Sequence, residues 1–179
     1  MSNIKVPTRD QVSQDSQVIF DQLQKGLGKV PNLYATIGYS SNALKALLGL
    51  EEQLNKGVFT VTEKEAINLV VSEVNNCDYC LAAHTLIAGM KGISKEETLN
   101  FRRGSVNDPK LNAVLQLAKS VAENKGKADP DKVEDFLAAG YDNAAVMELI
   151  GFVILRSFTN YVYALTEVPV DFPAVEKLA

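Results

Sequence analysis

Residues 62–84 read TEKEAINLVVSEVNNCDYCLAAH. The stretch begins with a capping-box pattern, in which Thr62 and Glu65 would satisfy free backbone donors at a helix start. The apolar run that follows shows none of the apolar/polar alternation of a half-buried strand. Asn75 and Asn76 then interrupt it, since Asn favours caps and turns. A second helix is expected from about Cys77 to Met90, ending at Gly92. Two successive helices around a tight turn make the chain helical at its centre.

The flanks carry the same signals. SQVIFDQLQKGLG places Val18, Phe20, Leu23 and Leu27 near helical spacing and closes on glycine. Pro31 can open a short helix through Tyr34 and Ile37. SNALKALLGLEEQLNKG starts at a Ser cap and stops at Gly57. SKEETLNFRRG repeats the capping box at Ser94 and Glu97 and stops at Gly104, where Arg102 and Arg103 suit the helix dipole and solvent. Two further helices open at Asp-Pro pairs, and a last long one runs through NAAVMELIGFVILRSFTNYVYAL to just before Pro169. No strand pattern, long linker, short-period repeat or low-complexity segment is present. The expectation is all-α: one compact domain over residues 1–179 with about eight or nine helices. The last helix is apolar around much of its circumference, which places it in the core or in the interface of a homo-oligomer.

Composition narrows the function classes. The chain has 179 residues, 46% of them hydrophobic, and a net charge of −4. That suits a packed globular domain and supplies no basic run for nucleic acid or an anionic membrane. The N-terminus is polar, without an apolar signal core. The longest apolar passage, near AAVMELIGFVIL, contains Glu148 and is shorter than a bilayer span requires. The expected location is therefore the cytoplasm, with no membrane partner. In a reducing compartment a pair of cysteines three apart is more often catalytic or metal-binding than a permanent staple.

Both cysteines of the chain, Cys77 and Cys80, and its one histidine, His84, lie within eight residues. At about 100° per residue these positions share one helical stripe, and Glu73 would extend it if the helix ran unbroken. Cysteines at i and i+3 lie within disulfide reach, so a dithiol/disulfide cycle is feasible. Cys77 sits at a helix N-terminus, where the dipole favours thiolate, whereas His84, at i+4 from Cys80, can accept that thiol's proton. The two arguments favour different sulfurs, and spacing does not choose between them. Two plainer readings stand beside the redox one. Small buried cysteines are commonly inert. Alternatively, Cys, Cys and His could serve zinc, but no second His or further Cys exists to complete a structural site.

The segment TEKEAINLVVSEVNNCDYCLAAH resembles the AhpD-like alkylhydroperoxidase family of the carboxymuconolactone decarboxylase-like superfamily, closest to its peroxidase-related branch. The shared pattern is Glu65, Cys77, Cys80 and His84. GKVPNLYATIGYSSNALKALLGLEEQL and FLAAGYDNAAVMELIGFVILRSFTNYVYALTEVPVDFP look like the family's N-terminal and C-terminal segments, so the resemblance covers most of the chain. It implies an all-helical, commonly oligomeric fold and a thiol-dependent peroxidase with no cofactor or metal. Cys80 would attack an organic hydroperoxide or hydrogen peroxide, His84 would help deprotonate it, and Glu65 would support the proton relay. Cys77 would resolve the sulfenic acid into a disulfide. A dithiol reductant, such as a lipoylated or thioredoxin-like protein, would reopen it. Two positions depart from the pattern. Tyr79 stands where the best-known member has a His, and Tyr161 and Tyr163 lie where many relatives have one. Glu65 has a second reading as a helix cap, Glu73 is an alternative carboxylate, and Asn160 lies on the C-terminal helix. The other functional readings are a non-peroxidase disulfide oxidoreductase or thiol sensor on the same pair, and an interaction domain that turns nothing over.

Overall fold

A computed structural model describes residues 4–178; the expected domain limits of 1 and 179 lie outside the described residues. Among these residues there are nine α-helices and no strand. After a 3-10 turn at Arg9–Gln11 come α1 (Gln14–Leu27), α2 (Asn32–Ile37), α3 (Ser41–Leu54), α4 (Val61–Val74) and α5 (Asp78–Met90). Then follow α6 (Lys95–Arg103), α7 (Pro109–Glu123), α8 (Pro130–Ala138) and α9 (Asn143–Thr166). The all-α expectation is met.

Helix α4 is the axis of the molecule, packed by α5, α6, α7 and α9. Ala66, Ile67, Leu69, Val70 and Val71 are fully buried, spread around the helix rather than along one stripe. A helix apolar on most sides is stable only when neighbours surround it, and α4 carries the core accordingly. Its polar buried residues, Glu65, Asn68 and Ser72, must then find partners inside the protein.

The start of α4 corrects the sequence reading. TVTEKE contains two overlapping Thr-x-x-Glu patterns, and the helix uses the upstream one. Thr60 is the N-cap, its side chain accepting from Glu63 N while Glu63 Oε2 accepts from Thr60 N at 2.7 Å. Glu65 is thereby freed from capping and lies one turn inside the helix, facing the core.

The α4–α5 turn fulfils its asparagine signal. Asn75 caps α4, and its Nδ2 donates to Asn160 Oδ1 on α9 at 2.9 Å. Asn76 adopts φ +52°, a left-handed conformation that Asn tolerates better than most residues. Cys77 N then donates to Ser72 O at 2.9 Å, and α5 begins.

Two more expectations are corrected. Helix α9 has 24 residues and a mean hydropathy of 1.3 over its best window, so it is long and apolar enough to cross a membrane by length and composition. The expected passage, AAVMELIGFVIL, covered only part of this helix, which continues to Thr166. In this fold α9 packs on α3, α4, α5 and α7 and buries Arg156, Thr159 and Asn160. Arg102, expected in solvent, is buried: Nε donates to Glu73 Oε2 at 2.6 Å and Nη1 to Glu176 O at 2.8 Å. Glu73 accordingly faces α6 rather than extending the cysteine stripe, because the turn at Asn75–Asn76 breaks the helix.

Candidate active site

Cys77 is the N-cap of α5, and its Sγ accepts from Cys80 N at 3.2 Å. The two cysteines are joined as a disulfide with Cα atoms 5.3 Å apart. Both are buried, as are His84 one turn further along α5 and Glu65 on α4. His84 Nδ1 lies 2.8 Å from Glu65 Oε2, and Lys91 Nζ donates to Glu65 Oε1 at 2.7 Å. Glu65 thus bridges the imidazole to a half-exposed lysine at the end of α5.

The electrostatics of this chain favour one pair of protonation states. Burial works to raise the Glu65 carboxyl, but His84 and Lys91 outweigh it and hold the group down at about 2. Burial is also the largest influence on His84 and, with the Arg156 guanidinium, pushes the imidazole below its ordinary value against the opposite pull of Glu65 and Glu51. The pair is best described as an ionised carboxylate and a neutral ring, because Lys91 supplies Glu65 with a permanent counter-charge. A neutral ring beside an ionised carboxylate donates from Nδ1–H, so Nε2 holds the lone pair and can accept a proton.

Helix α9 forms the opposite wall. Thr159 Oγ1 lies 3.9 Å from Cys80 Sγ and donates to Arg156 O at 2.8 Å. Arg156 Nε donates to Asn68 Oδ1 at 3.1 Å. Asn160 is fully buried and binds Asn75 and Ser72, so it fixes the turn before Cys77 rather than approaching the sulfurs.

Tyr79, between the cysteines, turns the other way. Its hydroxyl donates to Asp171 Oδ1 at 2.6 Å and accepts from Leu33 N at 3.2 Å. Its ring meets Phe172 edge-on and tilts against Tyr163. Lys29 binds Asp171 and sits 4.0 Å over the Phe172 ring. Burial, then the Asp171 bond, push the Tyr79 hydroxyl above its ordinary value. It is a tether for the C-terminal tail, and its proton points away from the sulfurs. Tyr161 is exposed.

The structure therefore brings the sequence-derived residues together in two bonded pairs, Cys77 with Cys80 and His84 with Glu65, and sets Glu73 apart. Sequence reasoning missed Lys91, Thr159 and Arg156. Arg156 had a signal: a lone charge within LIGFVILRSF must be paired if the helix is buried. Among the described residues no group of three or more His, Cys, Asp and Glu converges as metal ligands. A cavity of about 280 Å³ lies on another face of α5, against Ala82, Thr85 and tail residues 173–176, and none of the four site residues lines it.

Fold and site together define an all-helical protein with a Cys-x-x-Cys disulfide on the same helix as a buried histidine. Residues 41–120 match the carboxymuconolactone decarboxylase family. The chain superposes on an uncharacterised peroxidase-related protein with an alkylhydroperoxidase AhpD core from Ralstonia eutropha JMP134, at a TM-score of 0.83 and 19% identity over 95% of this chain and 92% of that one. It superposes on the debrominase Bmp8, solved as a Cys-to-Ala variant with 2,3,4-tribromopyrrole, at a TM-score of 0.80 and 17% identity, covering 96% and 92%. Over 110 residues it is 23% identical to the uncharacterised protein YdfG of Bacillus subtilis (strain 168), covering 60% of this chain and 75% of that protein. The chain is thus similar to the carboxymuconolactone decarboxylase family over residues 41–120 and shares its helical fold with these solved structures.

Proposed function

We propose that the protein is a thiol-dependent peroxidase working through a Cys77/Cys80 dithiol cycle. The observation that carries this reading is the bonded Cys77–Cys80 pair one helical turn from a neutral His84 oriented by Glu65. His84 Nε2 takes the Cys80 proton. The thiolate attacks the O–O bond of a hydroperoxide, the alcohol or water departs with a proton, and Cys80 becomes a sulfenic acid. The Cys77 thiol displaces hydroxide from that sulfur, releasing water and forming the disulfide. A dithiol reductant, of the lipoylated or thioredoxin-like class, exchanges with the disulfide, is itself oxidised, and returns both thiols. Only the cysteines are needed as electron carriers, so no cofactor takes part. The cytoplasm supplies such reductants, and the exposed apolar stripe of α9 suits a homo-oligomer.

Reduced protein mixed with one equivalent of hydroperoxide tests the reading, with thiols followed by mass. The expected result is rapid loss of both thiols to an intramolecular disulfide in the wild type and a trapped Cys80 sulfenate in Cys77→Ser. No disulfide, or no sulfenate, would refute it. A second reading, a thiol–disulfide oxidoreductase, draws on Cys77 at the N-cap of α5, where the Cys80 N–H and the helix dipole stabilise a thiolate on the first cysteine. Fast exchange with a small disulfide combined with inertness to peroxide would select it.

A further inference from the structure

Among the described residues the buried cations are Arg102 and Arg156, and they are paired very differently. Arg102 meets Glu73 at 2.6 Å, a full charge-assisted bond. Arg156 is as deeply buried, yet its nearest carboxylate, Glu51 Oε1, is 3.8 Å from Nη2. That carboxylate is also engaged by Tyr34, whose hydroxyl donates to Oε2 at 3.2 Å. The remaining partners of the guanidinium are neutral: Asn68 Oδ1 at 3.1 Å, and Thr159 Oγ1 at 3.5 Å. A guanidinium so buried is costly unless its charge is compensated, and here the compensation is incomplete. Its fork is aimed at the threonine that stands 3.9 Å from Cys80 Sγ.

We propose that Arg156 is the positioning residue for the attacking thiol, supplying through Thr159 the positive charge that holds Cys80 as thiolate. The disulfide carries no charge, so the oxidised protein leaves Arg156 under-compensated. Reduction and loss of the Cys80 proton to His84 Nε2 create an anion where that charge is waiting. Thr159, which donates to the Arg156 carbonyl in the oxidised form, can rotate its hydroxyl to the sulfur. The same field acts on His84, so the imidazole gives its proton on rather than staying locked in an ion pair with the thiolate. The charged groups facing His84 are Glu65 from α4, with Lys91 behind it on α5, Arg156 from α9 and Glu51 from α3. This inference deepens the peroxidase reading and takes from it only that Cys80 is the attacking sulfur.

The test is the pH profile of alkylation of each cysteine in the fully reduced protein, using iodoacetamide and peptide-resolved mass spectrometry. Arg156→Met is expected to raise the apparent pKa of Cys80 by about one unit or more, which is about tenfold less thiolate well below that pKa. Arg156→Lys should keep Cys80 closer to wild type, Thr159→Val should give an intermediate shift, and Cys77 should be unmoved. A Cys80 profile in folded Arg156→Met that superimposes on wild type overturns the proposal. If Arg156→Met fails to fold, an unshifted Cys80 in Thr159→Val overturns it instead. Alkylation uses neither peroxide nor reductant. A wild type that ignores peroxide while showing the Arg156-dependent profile would sink the peroxidase reading and leave this one standing.

Discussion

Glu65 is an ionised carboxylate set inside the core. It is buried, it holds the histidine, and it is itself held by Lys91. Its folded pKa is depressed from 4.5 to about 2, so the stability it lends is complete above about pH 4.5 and is lost as pH falls towards 2. His84 is also depressed below its ordinary value of 6.5. The unfolded chain therefore takes up that proton first, and stability declines from about pH 6.5 downwards. The two windows have the same sign. Denaturant titrations between pH 8 and pH 3 should show a monotonic fall in unfolding free energy, with the lower window flattened in Glu65→Gln. A stability rising on acidification would contradict the assignment of a neutral buried imidazole. For activity, Glu65→Gln leaves an acceptor but removes the charge that orients Nδ1–H, and a loss of peroxide rate of about 10- to 100-fold is expected under the proposed mechanism.

Among the elements, α5 owes its position to the turn before it and the tail beside it. The Asn75–Asn76 turn aims Cys77 at the start of α5, and Tyr79 ties the first turn of α5 to Asp171, Leu33 and Phe172. Tyr79→Phe keeps the ring packing but removes the hydroxyl, leaving Leu33 N–H without that acceptor. A stability loss of about 1–2 kcal/mol is expected from the urea midpoint at unchanged slope. Limited proteolysis should cut the segment after Pro169 faster in this variant. An unchanged midpoint and cutting rate would show that Lys29, Asn32, Lys95 and Arg102 hold the tail without the Tyr79 hydroxyl.

Across the whole molecule, α9 serves two environments. One side carries Arg156, Thr159 and Asn160 into the core, and the other exposes Met147, Ile154, Phe158, Tyr161 and Leu165. Those five fall at spacings of seven, four, three and four, a continuous seam along the helix of the kind that pairs helices. The proposed homo-oligomer would bury this seam. Light scattering on the wild type should give a mass above that of one chain, and Ile154→Glu with Phe158→Glu should reduce it to one chain with helicity retained. A monomeric wild type at micromolar concentration would end the oligomer proposal.

The sequence by itself determined that the chain is helical, where most helices start and stop, and that Cys77, Cys80 and His84 lie together, whereas Glu65 was joined to them by the family resemblance. These are local matters: caps, prolines and glycines act within one turn, and i, i+3 and i+4 positions on a helix are neighbours whatever surrounds them. Its error at Thr62 came from two cap patterns offset by two residues, a choice that the burial of Glu65 settled. Only the tertiary structure decided what the second wall of the site is, because Thr159, with Arg156 behind it, reaches Cys80 across about eighty positions of sequence. It likewise turned Tyr79 into a tether and Arg102 into a buried ion pair. Burial sets the strength of every charge involved, and burial is a property of packing between helices, which no single helix encodes.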